Sequence, residues 1–136
     1  MIINVCSTNI LLRDNLSHKE FRALVVRWLE SNFLNRYYIN SETGFAIIVN
    51  KTCINKLVSS FGEIKAHSFT AIPDLIKNSN FIKSEDDKKG RPDFKMFIFK
   101  SLIEINQSVY EVWLYVRQTK SQQSLYSINI NSEIKK

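Results

Sequence analysis

Two groups of side chains in this sequence have types and spacing that can do chemistry. His67 lies in Glu63-Ile64-Lys65-Ala66-His67-Ser68, near the start of a helical segment and off that segment's apolar arc. A solvent-accessible imidazole titrates near pH ~6.5 and can move a proton at neutral pH, and Lys65 sets a cation two residues away. The second group is Trp113, Tyr115, Arg117 and Thr119, which alternate along one face of a predicted strand. Fixed cations and hydroxyls can hold phosphate, and exposed rings can stack bases. The same pattern also fits a half-buried aromatic packing face or an interface, so spacing alone leaves the two readings open. His18 sits in the first turn of a helix and reads as an exposed residue there. Glu85-Asp86-Asp87 could offer hard oxygen ligands to a divalent metal, but Lys88, Lys89 and Arg91 follow at once, the pattern of a solvated loop. No phosphate-binding glycine loop, dinucleotide fingerprint, His-Glu-x-x-His or Gly-x-Ser-x-Gly occurs.

The elements that must position these residues follow from capping and period. Ser17-His18-Lys19-Glu20 is a capping box, and Phe21, Leu24, Val25, Trp28 and Leu29 then recur at helical spacing, predicting a helix over 18–33. Arg36–Ile39 and Phe45–Val49 are rich in aromatic and β-branched residues and flank a loop containing Gly44, which predicts a β-hairpin. Asn50 or Thr52 caps a short helix with Ile54, Leu57, Val58 and Phe61 on one face, and Gly62 fits its stop. From 63 to 79 the period is helical again. Pro73 interrupts it, which predicts a kink or two consecutive helices. The last third reads as strands over Phe81-Ile82, 94–103, 109–119 and 125–130, with Tyr110, Val112, Leu114 and Val116 on the core face of the third. Within 1–15, Ile2, Ile3, Val5 and Ile10, Leu11, Leu12 form a short apolar start that reads as an edge strand or an extended lead-in, and 131–136 read as a tail of one domain spanning 1–136.

Composition narrows the function classes. The chain has 136 residues, 44% hydrophobic and 24% charged, with three Gly and two Pro, which excludes disordered, collagen-like and low-complexity architectures. Nineteen Lys and Arg against thirteen Asp and Glu give a net charge of +6, compatible with a polyanionic partner. Cys6 and Cys53 show no zinc spacing and read as buried thiols, with a disulfide left open. No apolar run is long enough to span a bilayer and no leader pattern opens the chain, so the expectation is a cytoplasmic protein without a membrane partner.

Gly62–His67, Ala71–Asn78, Ser84-Glu85 with Lys88–Pro92, Val109–Arg117 and Leu125–Ile128, taken in order, resemble the phage-associated nuclease-like domains of the barnase–EndoU–colicin–RelE superfamily. The resemblance implies an α+β domain with N-terminal helices packed on a mainly antiparallel four-stranded sheet. It implies a metal-independent endoribonuclease, needing no cofactor, in a toxin or mobile-element protein. RNA would be the substrate, and an acidic immunity or antitoxin protein a possible partner. The catalytic positions carried over are His67, Lys65, Arg117, Thr119 and Tyr126, with Trp113, Tyr115 and Arg91 as RNA contacts. RNA supplies its own nucleophile in the 2′-hydroxyl, so a base, an acid and donors to the phosphorane would suffice, leaving a 2′,3′-cyclic phosphate. Tyr126-Ser127 stands where the family pattern has Tyr followed by an acid and His, which leaves His67 as the one proton-transfer histidine. The competing expectation is a catalytically inactive RNA-binding or protein-interaction module on the same scaffold.

Overall fold

Ser17 starts the first helix as its spacing requires. Its hydroxyl accepts from the Glu20 amide at 3.1 Å and the Glu20 carboxylate accepts from the Ser17 amide at 3.1 Å. In the computed structural model, which describes residues 2–5, 15–59, 62–86, 89, 94–119 and 122–133, eleven elements follow one another. They are β1 (Ile2–Val5), α1 (His18–Phe33), β2 (Arg36–Ile39), β3 (Ala46–Val49), α2 (Lys51–Leu57), α3 (Glu63–Phe69), α4 (Ile72–Asn78), β4 (Asn80–Asp86), β5 (Lys95–Ile105), β6 (Ser108–Gln118) and β7 (Gln123–Glu133).

The predicted four-stranded antiparallel sheet is overturned. The strands form one mixed seven-stranded sheet curled into a half-barrel, in the order β1-β5-β6-β7-β3-β2, with β4 also on β5. The three late strands do pair consecutively and antiparallel, joined between β5 and β6 by the two-residue turn Asn106-Gln107. Both turn residues have positive φ, 51° and 70°, as a two-residue hairpin that follows the sheet's twist requires. The additional strands arrive by long-range parallel pairing: Ile2–Val5 beside Leu102–Ile105, and Ile47-Ile48 beside Gln123-Ser124. Such pairings join segments far apart in sequence, and no local pattern announces them. β1 and β4 share the far edge of β5, β4 along its first half and β1 along its end. Register shifts at Phe81/Lys83, Tyr110/Val112 and Tyr115/Val116 add local twist and bend the sheet.

The helices fill the concavity. Phe21, Val25, Leu29 and Phe33 of α1, Cys53, Ile54 and Leu57 of α2, and Ile72, Leu75 and Ile76 of α4 are buried against Ile47, Val49, Phe99, Ile103, Val112, Leu114, Val116, Leu125 and Ile128 of the sheet. The alternation expected for β6 is present, with Val112, Leu114 and Val116 buried and Glu111, Trp113, Tyr115 and Arg117 half-buried on the other face. Residues 63–79 form two helices, with Pro73 in the first turn of the second, where its missing N–H costs nothing. Gly62 precedes α3 as its N-cap rather than ending α2. Glu85 and Asp86 lie in β4 rather than in a loop, and Glu85 pairs with Lys83 at 3.1 Å. Asp87, Cys6, Arg91 and Phe61 lie outside the described residues, as does most of the predicted lead-in, while 131–133 continue β7.

One buried amide joins the hairpin to the helices. Asn40, fully buried, donates through Nδ2 to the carbonyls of Ile76 (2.8 Å) and Ser79 (2.9 Å) at the end of α4. Its Oδ1 accepts from the amides of Glu42 (3.1 Å) and Thr43 (2.9 Å) and from the Thr43 hydroxyl (3.0 Å), which shapes the loop leading to Gly44 (φ 76°). Removing the carboxamide strands several buried partners, each worth about 1–3 kcal/mol when left unpaired. Asn40→Ala is therefore expected to lose about 3 kcal/mol in urea denaturation, against less than about 0.5 kcal/mol for an exposed control such as Asn55→Ala.

Candidate functional site

The bulge in β7 brings together residues that the sequence keeps apart. Tyr115 pairs with Ser127 and Val116 with Leu125, so Tyr126 is the extra residue between them and its ring is re-aimed. The Arg117 guanidinium lies over this ring at 5.9 Å and over Phe94 at 5.4 Å, and the Lys56 ammonium from α2 lies 5.3 Å from the Tyr126 ring centre. α2 can reach because Asn50 caps it directly after β3, its Oδ1 accepting from the Cys53 amide at 2.9 Å, and it packs on β7. Lys65 of α3 is close enough for the Lys56 charge to act on it: burial first, then Lys56, lowers the Lys65 amine below its ordinary value.

Arg117, Thr119 and Tyr126 line one cavity of about 150 Å³ together with Asn50, Thr52 and Cys53. No acidic side chain lines it among the described residues, and neither Arg117 nor Lys56 has a carboxylate partner there. Each cation is held by aromatic faces instead of by an ion pair, an arrangement that leaves its charge available to an anion. Cys53 contributes apolar surface only, since burial pushes its thiol up to about 12, far from the thiolate a nucleophile needs.

Of the sequence-derived positions, Arg117, Thr119 and Tyr126 meet in this cavity and Lys65 lies beside Lys56. His67 does not join them as expected. It is 3% exposed, with Nδ1 buried and without a hydrogen-bond partner. The expectation of an accessible imidazole extended the apolar arc of residues 69–76 backward as one helix. α3 and α4 are separate helices, and in α3 the run Ala66–Phe69 is buried on every side.

Trp113 is engaged elsewhere. Its indole N–H donates to Glu111 Oε1 at 2.6 Å, and Lys100 lies over the ring at 5.6 Å while binding Glu111 at 3.1 Å; Asn131 donates to the same carboxylate at 3.0 Å. These hydrogen bonds hold the Glu111 carboxyl below its ordinary value, so this patch is already charge-balanced. Tyr115 is half-buried between the backbone partners Ile98 and Ser127. Lys56, Asn50 and Thr52 escape sequence reasoning as site residues because nothing local links α2 to a strand some seventy residues later; only a helix cap at Asn50 or Thr52 was visible, and the structure places it at Asn50.

Among the described residues no helix is long and apolar enough to cross a membrane. A family model described as large polyvalent protein-associated domain 3 matches residues 17–126, from the capping box to the bulge tyrosine. No curated protein and no solved structure matches. The phage-associated part of the resemblance therefore holds, and the match points to no nuclease family.

Two substitutions check the roles assigned here. His67→Leu replaces an unpaired buried polar group by an apolar one of similar bulk and is expected to change stability by less than about 1 kcal/mol, whereas His67→Ala leaves a cavity and loses about 2 kcal/mol or more in urea denaturation. Lys65→Met is expected to raise stability at pH 7. The unfolded chain binds the extra proton between the lowered folded-state pKa and the ordinary one. The penalty is thus full below the folded-state value and disappears above the ordinary value, so the gain shrinks toward pH ~10, measured as Tm against pH.

Proposed function

The chain belongs to the large polyvalent protein-associated domain 3 family, a phage-associated polyvalent-protein domain, and on that premise we propose that it is an RNA-binding module that holds a backbone phosphate between Arg117 and Lys56 at Tyr126. The observation that carries this reading is the pair of cations, 5.9 and 5.3 Å from one tyrosine ring, with no carboxylate beside either among the described residues. Comparison within the molecule supports it. Lys100 also lies over an aromatic ring, but Glu111 neutralises it, so that patch offers an anion little. A guanidinium gives forked donors to phosphate, an ammonium adds a point charge, and the net charge of +6 favours approach of a polyanion. An acidic immunity or antitoxin protein would cover the same cations.

Binding without cleavage is the better supported form, because the buried His67 offers no accessible proton-transfer group. One observation favours a second form in which RNA is cut: burial and the Lys56 charge lower the pKa of the Lys65 amine, so more of it is unprotonated and able to accept a proton near neutral pH than for a free lysine. In that form Lys65 takes the 2′-hydroxyl proton as the 2′-oxygen attacks phosphorus, Arg117 stabilises the phosphorane, and the P–O5′ bond breaks with the departing 5′-oxygen taking a proton from water, which leaves a 2′,3′-cyclic phosphate.

Titration of labelled single-stranded RNA at several salt concentrations tests the binding reading. Arg117→Gln and Lys56→Gln are each expected to weaken affinity and to flatten the log K against log salt slope by about 0.7, the share of one phosphate contact on a single strand. An unchanged slope in both variants would defeat it. Incubation with RNA in excess EDTA separates the two forms: intact RNA fits binding alone. Discrete fragments that end in cyclic phosphate, and that fall by about 100-fold or more in Lys65→Met with affinity retained, would establish cleavage.

A further inference from the structure

Thr119 and Gln122, whose backbones meet through the Thr119 amide and the Gln122 carbonyl at 3.0 Å across the β6–β7 turn, wall the 150 Å³ cavity on one side. On the other side they wall an open groove of about 500 Å³ that includes Tyr37, Gln118 and Gln123. We infer that the two depressions are adjoining nucleotide subsites for single-stranded RNA. A pyrimidine base enters the cavity, its phosphate lies on Arg117, and the neighbouring base stacks on Tyr37 in the groove. This deepens the reading of the Arg117–Tyr126 cluster as a phosphate site and rests on it.

Size comes first. The depression of about 150 Å³ is partly open to solvent, and its volume matches the single ring of a pyrimidine more closely than the fused rings of a purine. The lining agrees in chemistry. Thr52 and Ser124 present hydroxyls without a hydrogen-bond partner among the described residues, and Asn50, whose Oδ1 is used by the Cys53 amide, retains its Nδ2 donor. Neutral donors and acceptors of this kind hold the edge of an unpaired base, and Arg117 at the same wall supplies the charge its phosphate needs. In the groove, Tyr37 is 64% exposed on edge strand β2, an aromatic side chain presented to solvent in a groove also lined by Gln118, Gln122 and Gln123. Ring stacking on such a face accepts any base. A duplex keeps its bases paired and stacked and cannot place one in the cavity.

Fluorescence anisotropy with the full chain tests this with four labelled dodecamers: uridylate, adenylate, an abasic ribose-phosphate chain and a stable RNA duplex. Uridylate is expected to bind at least about tenfold more tightly than each of the others. Tyr37→Ala, at a position too exposed to affect folding, should weaken uridylate by roughly 5- to 150-fold and leave the abasic chain unchanged. Equal binding of uridylate and the abasic chain would overturn the base subsites while leaving the phosphate site standing. Equal binding of duplex would overturn the single-strand assignment, and equal binding of adenylate the assignment of a pyrimidine. If neither uridylate nor the abasic chain binds, the phosphate reading falls as well.

Discussion

The carboxamide of Asn40 is the interaction on which the arrangement of this domain turns. It is fully buried, and both its donors and its acceptor are used, the donors on the end of α4 and the acceptor on the loop between β2 and β3. A buried amide satisfied on both sides fixes one geometry, because any shift leaves partners in a medium that cannot replace them. The backbone repeats the link, the Ser41 amide donating to the Lys77 carbonyl at 2.9 Å. β3 joins β7 through only two residue pairs, so the hairpin depends on this second attachment for its place. The consequence reaches the candidate site, since β3 runs directly into Asn50 and α2, and α2 carries Lys56 to Tyr126.

Two cation–aromatic pairs on one sheet show how a local carboxylate decides what a charge can do. Lys100 over Trp113 and Arg117 over Tyr126 have nearly the same ring distances, 5.6 and 5.9 Å. Glu111 sits on the first and takes three donors, which lowers its own proton affinity and cancels the field beyond it. No carboxylate sits on the second among the described residues, and Lys56 lies 5.3 Å from the centre of the same ring. Burial first and the Lys56 charge second lower the proton affinity of Lys65 on the neighbouring helix.

Local signals were legible and nonlocal ones were not. Capping at Ser17 and Asn50, the positive φ at Gly44, the division of 63–79 at Pro73 and the alternation in β6 each depend on a few neighbouring residues, and each appears in the structure. The parallel pairings of β1 with β5 and β3 with β7 depend on where distant segments come to rest, and they turned the expected four-stranded sheet into a seven-stranded half-barrel. The site divides in the same way. Arg117 and Thr119 stand out by their alternation along one strand and Tyr126 enters only through the family resemblance, while Lys56 and Thr52 arrive through the β3–β7 junction. His67 was misplaced for a local reason, a helical phase carried across a break.

The site lies at the most lightly stitched seam of the sheet. One wall of the cavity, Asn50 and Thr52, belongs to the unit of β2, β3 and α2; the other, Arg117, Ser124 and Tyr126, belongs to the β6–β7 hairpin. Two residue pairs between β3 and β7 and the packing of α2 on β7 join them. A ligand touching both walls would add contacts across that seam and would stabilise the joined arrangement by mass action, in proportion to its affinity. A site so placed differs from one on a rigid strand face, because its occupancy and the closure of the sheet are thermodynamically linked. Charge and topology therefore act at one place: the few bonds that complete the half-barrel are also the ones an anionic ligand would reinforce.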